Sequence, residues 1–119
     1  TGRAEVFRAP PVWDRVRTFG DRHLPGWHSV LACGGPTSID WHRDHGHFEA
    51  EALMLNLGVA EFWEQEDPRD PGTRECVTLR DGDVVRLDVK VLHKSRQVSD
   101  ERFHLTWRRV KPQFLLVRQ

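Results

Sequence analysis

Arg102-Phe103-His104-Leu105-Thr106-Trp107-Arg108 alternates polar and apolar side chains without a break. A period of two marks a strand with one face against a core. Phe103, Leu105 and Trp107 are therefore expected in a core, with Arg102, His104, Thr106 and Arg108 lining the opposite face. Outward from this segment the chain reads as short strands separated by turns. Residues 27–33 and 37–42 flank Gly34-Gly35-Pro36, residues 52–57 form the clearest apolar run, and residues 60–65 follow Gly58. Residues 76–79 and 83–87 flank Arg80-Asp81-Gly82 and predict a hairpin. Residues 89–93 and 102–110 complete seven or eight strands. Residues 66–75 hold Asp-Pro and Pro-Gly turns and predict an exposed loop. Near the start, Pro10-Pro11 opens a helix in which Val12, Val16 and Phe19 recur at helical spacing, and Gly20 is expected to end it. The gaps between strands are too short for crossover helices, so the strands are expected to be antiparallel.

The chain has 119 residues, enough for one hydrophobic core. Residues 1–26 are read as an arm and helix, and residues 27–119 as the core domain. The 18 Lys and Arg balance 18 Asp and Glu, which excludes a strongly basic nucleic-acid coat. The sequence contains no run of bilayer-spanning length and no apolar signal segment, so a cytoplasmic protein without a membrane partner is expected. Two cysteines, Cys33 and Cys76, make at most one bridge and no metal site alone. Cys76 reads as a small core residue. The apolar run Phe114-Leu115-Leu116-Val117 is expected to add an edge strand or to bury against a second copy, giving a monomer or a homodimer.

The densest polar cluster is Asp40-Trp41-His42-Arg43-Asp44-His45-Gly46-His47. On a continuing strand Asp40, His42 and Asp44 share a face, so imidazole and carboxylate can flank one metal ion. His93, at the end of a short apolar run, is the best third ligand. Two histidines and one carboxylate leave coordination positions open, which is the logic of non-haem Fe(II) oxygenases. Arg102 and Arg108, if they face inward, need anions, and guanidinium donors match a carboxylate's two oxygens. A solvated outer face would produce the same alternation. Asp40 either orients His42 or is exposed, Arg43 should point away from the metal, and Asn56 either hydrogen-bonds internally or faces water.

The ordered set His42-x-Asp44, His93 and Arg102 resembles that of the Fe(II)- and 2-oxoglutarate-dependent dioxygenases. The ending Arg102-x-His104-x-Thr106-x-Arg108 is similar to the Arg-x-Asn-x-Thr-x-Arg close of their AlkB-like branch, and Gly82-Asp83-Val84-Val85 to the strand entry before its distal histidine. The similarity covers roughly residues 27–110. It implies an all-β double-stranded β-helix, a jelly-roll or cupin-like barrel, with a short packed N-terminal helix. It further implies that His42, Asp44 and His93 bind Fe(II) and that Arg102 anchors the distal carboxylate of 2-oxoglutarate. Arg108 would lie near the metal-proximal end of the cosubstrate or the substrate entrance, with Thr106 and Cys33 also lining the cosubstrate site. The implied reaction, with O2 as cosubstrate, hydroxylates or oxidatively demethylates a substrate and releases succinate and CO2. Leu31 and Cys33 stand where the family commonly has Asn and Tyr, and His104 where Asn is usual. Only about 26 residues precede the first core strand, which leaves little for a nucleotide-recognition lid. Alkylated nucleic acid or nucleotide is accordingly not favoured over a protein or a small molecule as primary substrate.

Two other readings use the same residues. His45-x-His47-x3-Glu51 followed by Gly58 is similar to the first cupin motif, which would place a metal on His47 rather than Asp44. A non-catalytic β-barrel binding protein would make the seven histidines ordinary surface and capping groups.

Overall fold

The structure, a computed structural model, describes residues 4–115. It contains one helix, α1 (Val12–His23), and six strands: β1 (Ser29–Cys33), β2 (Ile39–His42), β3 (Phe48–Gln65), β4 (Arg74–Leu79), β5 (Val84–Asp88) and β6 (Leu92–Val110). Short 3-10 turns cover Pro71–Thr73 and Pro112–Phe114. No helix among the described residues is long and apolar enough to cross a membrane. Of the terminal apolar run, Phe114 lies in the second 3-10 turn, and residues 116–119 lie outside the described residues.

All pairings are antiparallel. The two long strands form the spine, with β6 pairing along β3 from Phe48↔Val110 to Gln65↔Leu92. On the far side of β6 lie β1, opposite residues 104–108, and β2, opposite residues 93–95. On the far side of β3 lie β5, opposite residues 51–55, and β4, opposite residues 60–65. The register shifts between Gly58 and Ala60. There Gly58 has φ 87° and a Cβ on it would meet the Glu101 carbonyl oxygen at 2.5 Å, so only glycine fits the bend. The expected break at Gly58 is thus a bulge inside one 18-residue strand, and the two final predicted strands are likewise one strand of 19 residues.

The bend brings the two halves of the sheet together. Met54, Val85 and Leu87 from one half pack against Phe62 and Leu79 from the other. The expected barrel is nevertheless not formed: the sheet runs β1-β6-β3-β4, with β2 on β6 and β5 on β3, and is not closed. Among the described residues no ladder joins β1 or β2 to β4 or β5. The physical reason lies in the packing. Halves that meet through interdigitated side chains sit about 10 Å apart, whereas ladder hydrogen bonds need about 4.8 Å. Charged residues on the outer strands, Arg74 and Glu75 on β4 with Arg86 and Asp88 on β5, further disfavour edge pairing. The predicted hairpin is also corrected. Its turn exists, with the Asp83 amide donating to the Arg80 carbonyl at 3.1 Å. Its strands, however, diverge to pair with different parts of β3.

The outer face of the first half carries the core that holds α1. Leu24, Leu53 and Trp107 are fully buried there, with Val16, Phe19, Trp27, Val30, Leu55 and Leu105 against them. Phe103, expected in that core, is instead 42% exposed. Gly20 does not end the helix; it is the point of closest approach. A Cβ there would lie 2.6 Å from both Trp107 Cδ1 and Trp27 Nε1. Gly20→Ala should therefore lower stability by about 1–2 kcal/mol in urea titration, because overpacking two rigid indoles outweighs the roughly 1 kcal/mol that alanine gains in helix propensity. Unchanged or increased stability would mean that the helix does not bear on Trp107.

Candidate metal centre

β2 and β6 pair so that His42 and His93 are directly opposite, with ring centroids 4.3 Å apart. β2 ends at His42, so Asp44 does not reach its place by strand periodicity. Instead the Asp44 amide donates to the Val89 carbonyl at 3.1 Å, and Arg43 turns outward to donate to the Lys90 carbonyl at 2.9 Å. These two bonds swing the Asp44 carboxylate back over the histidines, where its side chain is 6% exposed. Asp40 is exposed, and its carboxylate accepts from the Trp41 amide rather than from His42.

Both histidines use the same local device. His42 Nδ1 is 2.7 Å from the Asp40 carbonyl, and His93 Nδ1 is 2.7 Å from the Val91 carbonyl. A carbonyl can only accept, so each Nδ1 carries a proton and Nε2 is the ring atom that each histidine can offer to a metal. Those Nε2 atoms lie 3.6 Å (His42) and 3.3 Å (His93) from Asp44 Oδ1. Ligand atoms of all three residues fall within 4.8 Å of one another, making a group that could hold a metal ion. Such spacing suits donors placed about 2.0–2.2 Å from a shared cation.

Arg108 donates from Nε to Asp44 Oδ2 at 2.7 Å. It occupies the second carboxylate oxygen and leaves Oδ1 for the metal. Burial works to raise the Asp44 pKa, but the His93 hydrogen bond and the charge and hydrogen bond of Arg108 outweigh it, and the pKa falls to about 2. For His93, burial works downward and the Asp44 and Val91 hydrogen bonds prevail, raising it. Without a metal, the histidine and the carboxylate thus neutralise each other.

Arg102 is 3% exposed and sits in the same cavity, which Met54, Phe62, Leu87, His104, Thr106 and Arg108 also line. Its Nε donates to Asn56 Oδ1 at 2.8 Å and its Nη1 to Thr37 Oγ1 at 3.2 Å. Gln97 fixes Thr37 in turn, accepting from its hydroxyl at 2.9 Å. Among the described residues Nη2 meets only the Met54 sulfur, at 4.0 Å. Among the described residues no carboxylate lies within 4 Å of Arg102. Neutral acceptors alone thus hold this buried guanidinium among the described residues. Burial lowers its pKa, slightly countered by Cys33. Cys33 lies opposite His104, and Leu31 opposite Thr106, in the β1–β6 register.

Sequence reasoning thus named the triad, Arg102, Thr106, Cys33 and Arg108 as site residues. The structure brings His42, Asp44 and His93 together, with Arg102, Thr106 and Arg108 around the same cavity, and gives Arg108 a bond to the ligand carboxylate. It missed Thr37 and Gln97, whose polarity in turn-rich segments carries no distinguishing signal. The cupin-like residues do not assemble a comparable group: Glu51 pairs with Arg109 at 3.1 Å, and His45 Nδ1 accepts from the His47 amide. Cys76, expected in the core, is exposed. A wider cleft of about 590 Å³ is lined by Gly34, Gly58, Asp81, Asp100, Glu101 and Phe103, but it holds no histidine. The candidate metal ligands line the smaller cavity. No protein-family model matches the chain, and no curated protein does.

Proposed function

We propose that this chain is an Fe(II)- and 2-oxoglutarate-dependent dioxygenase, with His42, Asp44 and His93 as metal ligands. The observation that carries the reading is one cavity holding a two-histidine, one-carboxylate group beside a buried arginine that no carboxylate satisfies. The donor set fits the ion: with each Nδ1 turned to a carbonyl, both histidines present Nε2 toward Asp44 Oδ1, and an entering cation would displace the proton His93 shares with that oxygen, which leaves positions for further ligands. The same residues suit a diacid, because Arg102 Nη2 is available at a distance from the metal ligands along the inward face of β6. When bound, Fe(II) with 2-oxoglutarate and O2 supplies the oxidation of an unactivated C–H bond, with succinate and CO2 as coproducts.

The protein's part is orientation. The Asp40 and Val91 carbonyls hold the two imidazoles in one tautomer. Arg108 keeps Asp44 ionised and directs a single oxygen inward. Asn56 and Thr37 aim Arg102. Met54, Phe62 and Leu87 make the opposite wall apolar, which strengthens charge pairing inside it.

Anaerobic titration with Fe(II), with and without 2-oxoglutarate, tests the reading. A visible charge-transfer band should appear only when both are present. In Arg102→Ala the affinity for 2-oxoglutarate should fall by about 100-fold or more, since a buried charged partner is worth roughly 2–5 kcal/mol. Arg102→Lys, which keeps the charge but not the fork, should fall in between. Screening nucleosides, oligonucleotides, peptides and small metabolites for succinate release then identifies the primary substrate. Metal uptake indifferent to 2-oxoglutarate would overturn the cosubstrate assignment. No metal uptake by folded protein would favour a binding protein without catalysis.

A further inference from the structure

His104 stands where the cavity is otherwise furnished for an anion, and the structure leaves it incomplete. It is 7% exposed, and its Nε2 is buried with no hydrogen-bond partner among the described residues. Its Nδ1 lies 3.4 Å from Thr106 Oγ1. On the inward face of β6 it falls between Arg102 and Arg108, both lining the same cavity. Across the strand pairings it faces Cys33 on β1 and the uncharged Asn56 on β3. The other charged or titratable groups around the cavity are Lys94 and the His42, Asp44 and His93 group.

A buried polar atom left unpaired costs about 1–3 kcal/mol, and native proteins keep few of them. Burial, and then the charges of Arg102 and Arg108, hold the imidazole neutral in the free protein, with a pKa of about 4. A carboxylate entering between those arginines would offset their charge and present an acceptor to Nε2. Protonated, His104 would donate from Nε2 to the ligand and from Nδ1 to Thr106.

We propose that His104 makes capture of a carboxylate ligand proton-linked: as the anion seats between Arg102 and Arg108, the imidazole takes up a proton from solvent and donates to it. This rests on the dioxygenase reading for the identity of the ligand, 2-oxoglutarate, though the coupling requires only a carboxylate at this position. Acidification within the stable range then tightens binding. The slope approaches about tenfold per pH unit where a full proton is taken up. The ligand's own carboxylates, ionised above about pH 5, contribute nothing to it.

The experiment is calorimetric titration of 2-oxoglutarate into Zn(II)-loaded protein between pH 6 and 8, in buffers of different ionisation enthalpy. Wild type should bind several-fold more weakly at pH 8 than at pH 6 and should take up protons on binding. His104→Asn keeps a neutral donor but cannot titrate, so its binding should persist with the pH dependence reduced. Any contribution from the metal-ligating histidines remains in that variant, and only the difference belongs to His104. As a second readout that needs no variant, the ring C–H resonance with the lowest titration midpoint in free wild-type protein should move to a higher one with ligand. Binding without proton uptake, or the same uptake in His104→Asn, or an unmoved resonance, would overturn the proposal and leave the dioxygenase reading standing. No binding of 2-oxoglutarate at any pH would overturn both.

Discussion

Asp44→Ala should abolish measurable metal binding, with a loss well beyond the 10- to 100-fold that removing an outer partner of a ligand typically costs. The geometry makes this the most damaging single change at the site. Asp44 Oδ1 lies 3.6 and 3.3 Å from the two histidine Nε2 atoms, so it is the one donor shared by both edges of the group. Removing it leaves two imidazoles and an Arg108 guanidinium that has lost its carboxylate partner. Net positive charge then stands where a cation must enter. Asp44→Asn is the sharper comparison, because it preserves volume and one oxygen while removing the charge. It too should fail to bind at micromolar Fe(II) or Zn(II), read by competition with a chromogenic chelator. Retained affinity in either variant would remove Asp44 from the ligand set.

The same carboxylate predicts the acid behaviour of the metal-free protein. Its pKa lies at about 2 in the folded chain, below the ordinary value of 3.8. A depressed carboxylate stabilises the fold above its unfolded pKa, and that contribution is lost as pH falls toward the folded value. The window is about pH 4 to 2, and the amount about 2 kcal/mol. Asp44→Asn should lack this part of the acid transition in denaturant titrations. His93 has the opposite sign: its raised pKa gives stability that is complete below 6.5 and lost as pH rises through the folded value.

How far the sequence disclosed this arrangement follows from the range over which each signal acts. The alternation in residues 102–108 is local, and the structure keeps its polar face inward and places Leu105 and Trp107 against α1. The His42-x-Asp44 spacing was also legible, although the reason was not. The strand stops at His42, and the Val89 carbonyl, 45 residues away, turns Asp44 inward. Gly58 looks like a boundary because glycine usually marks one, yet here it permits a bulge that keeps β3 continuous. Closure into a barrel is a relation between edges distant in the chain, and no local pattern encodes it. Six strands, with β3 and β6 running through both halves of the folded sheet, pair fully along this spine without those edges meeting. The Arg108–Asp44 bond spans 64 positions and has no sequence signature beyond an inward arginine that requires an acid.

Asn56→Leu should destabilise the protein by about 3 kcal/mol or more and weaken 2-oxoglutarate binding at the same time. Within the apolar run of β3 this side chain is fully buried, and all of its hydrogen bonds are internal. Nδ2 donates to the Gly58 carbonyl at 2.9 Å and to the Arg80 carbonyl at 3.0 Å, tying the bulge to the turn before β5. Oδ1 accepts from Arg102 Nε at 2.8 Å. Leucine matches the volume, but the Gly58 carbonyl and the charged Arg102 Nε lose their Asn56 partner, at about 1–3 kcal/mol for a neutral group and more for the guanidinium, while the Arg80 carbonyl keeps the Asp83 amide. A purely structural role would leave the ligand affinity of the surviving folded fraction unchanged. The bond to Arg102 argues otherwise, because without it the guanidinium keeps only Thr37 and the Met54 sulfur to set its direction. Asn56→Asp separates the two effects. It restores an acceptor, and a charged one, so Arg102 stays in place, but it pairs the guanidinium internally and should exclude the diacid. Its 2-oxoglutarate affinity should therefore fall at least as far as in the leucine variant. If both variants bound 2-oxoglutarate as wild type does, Arg102 would not be its anchor.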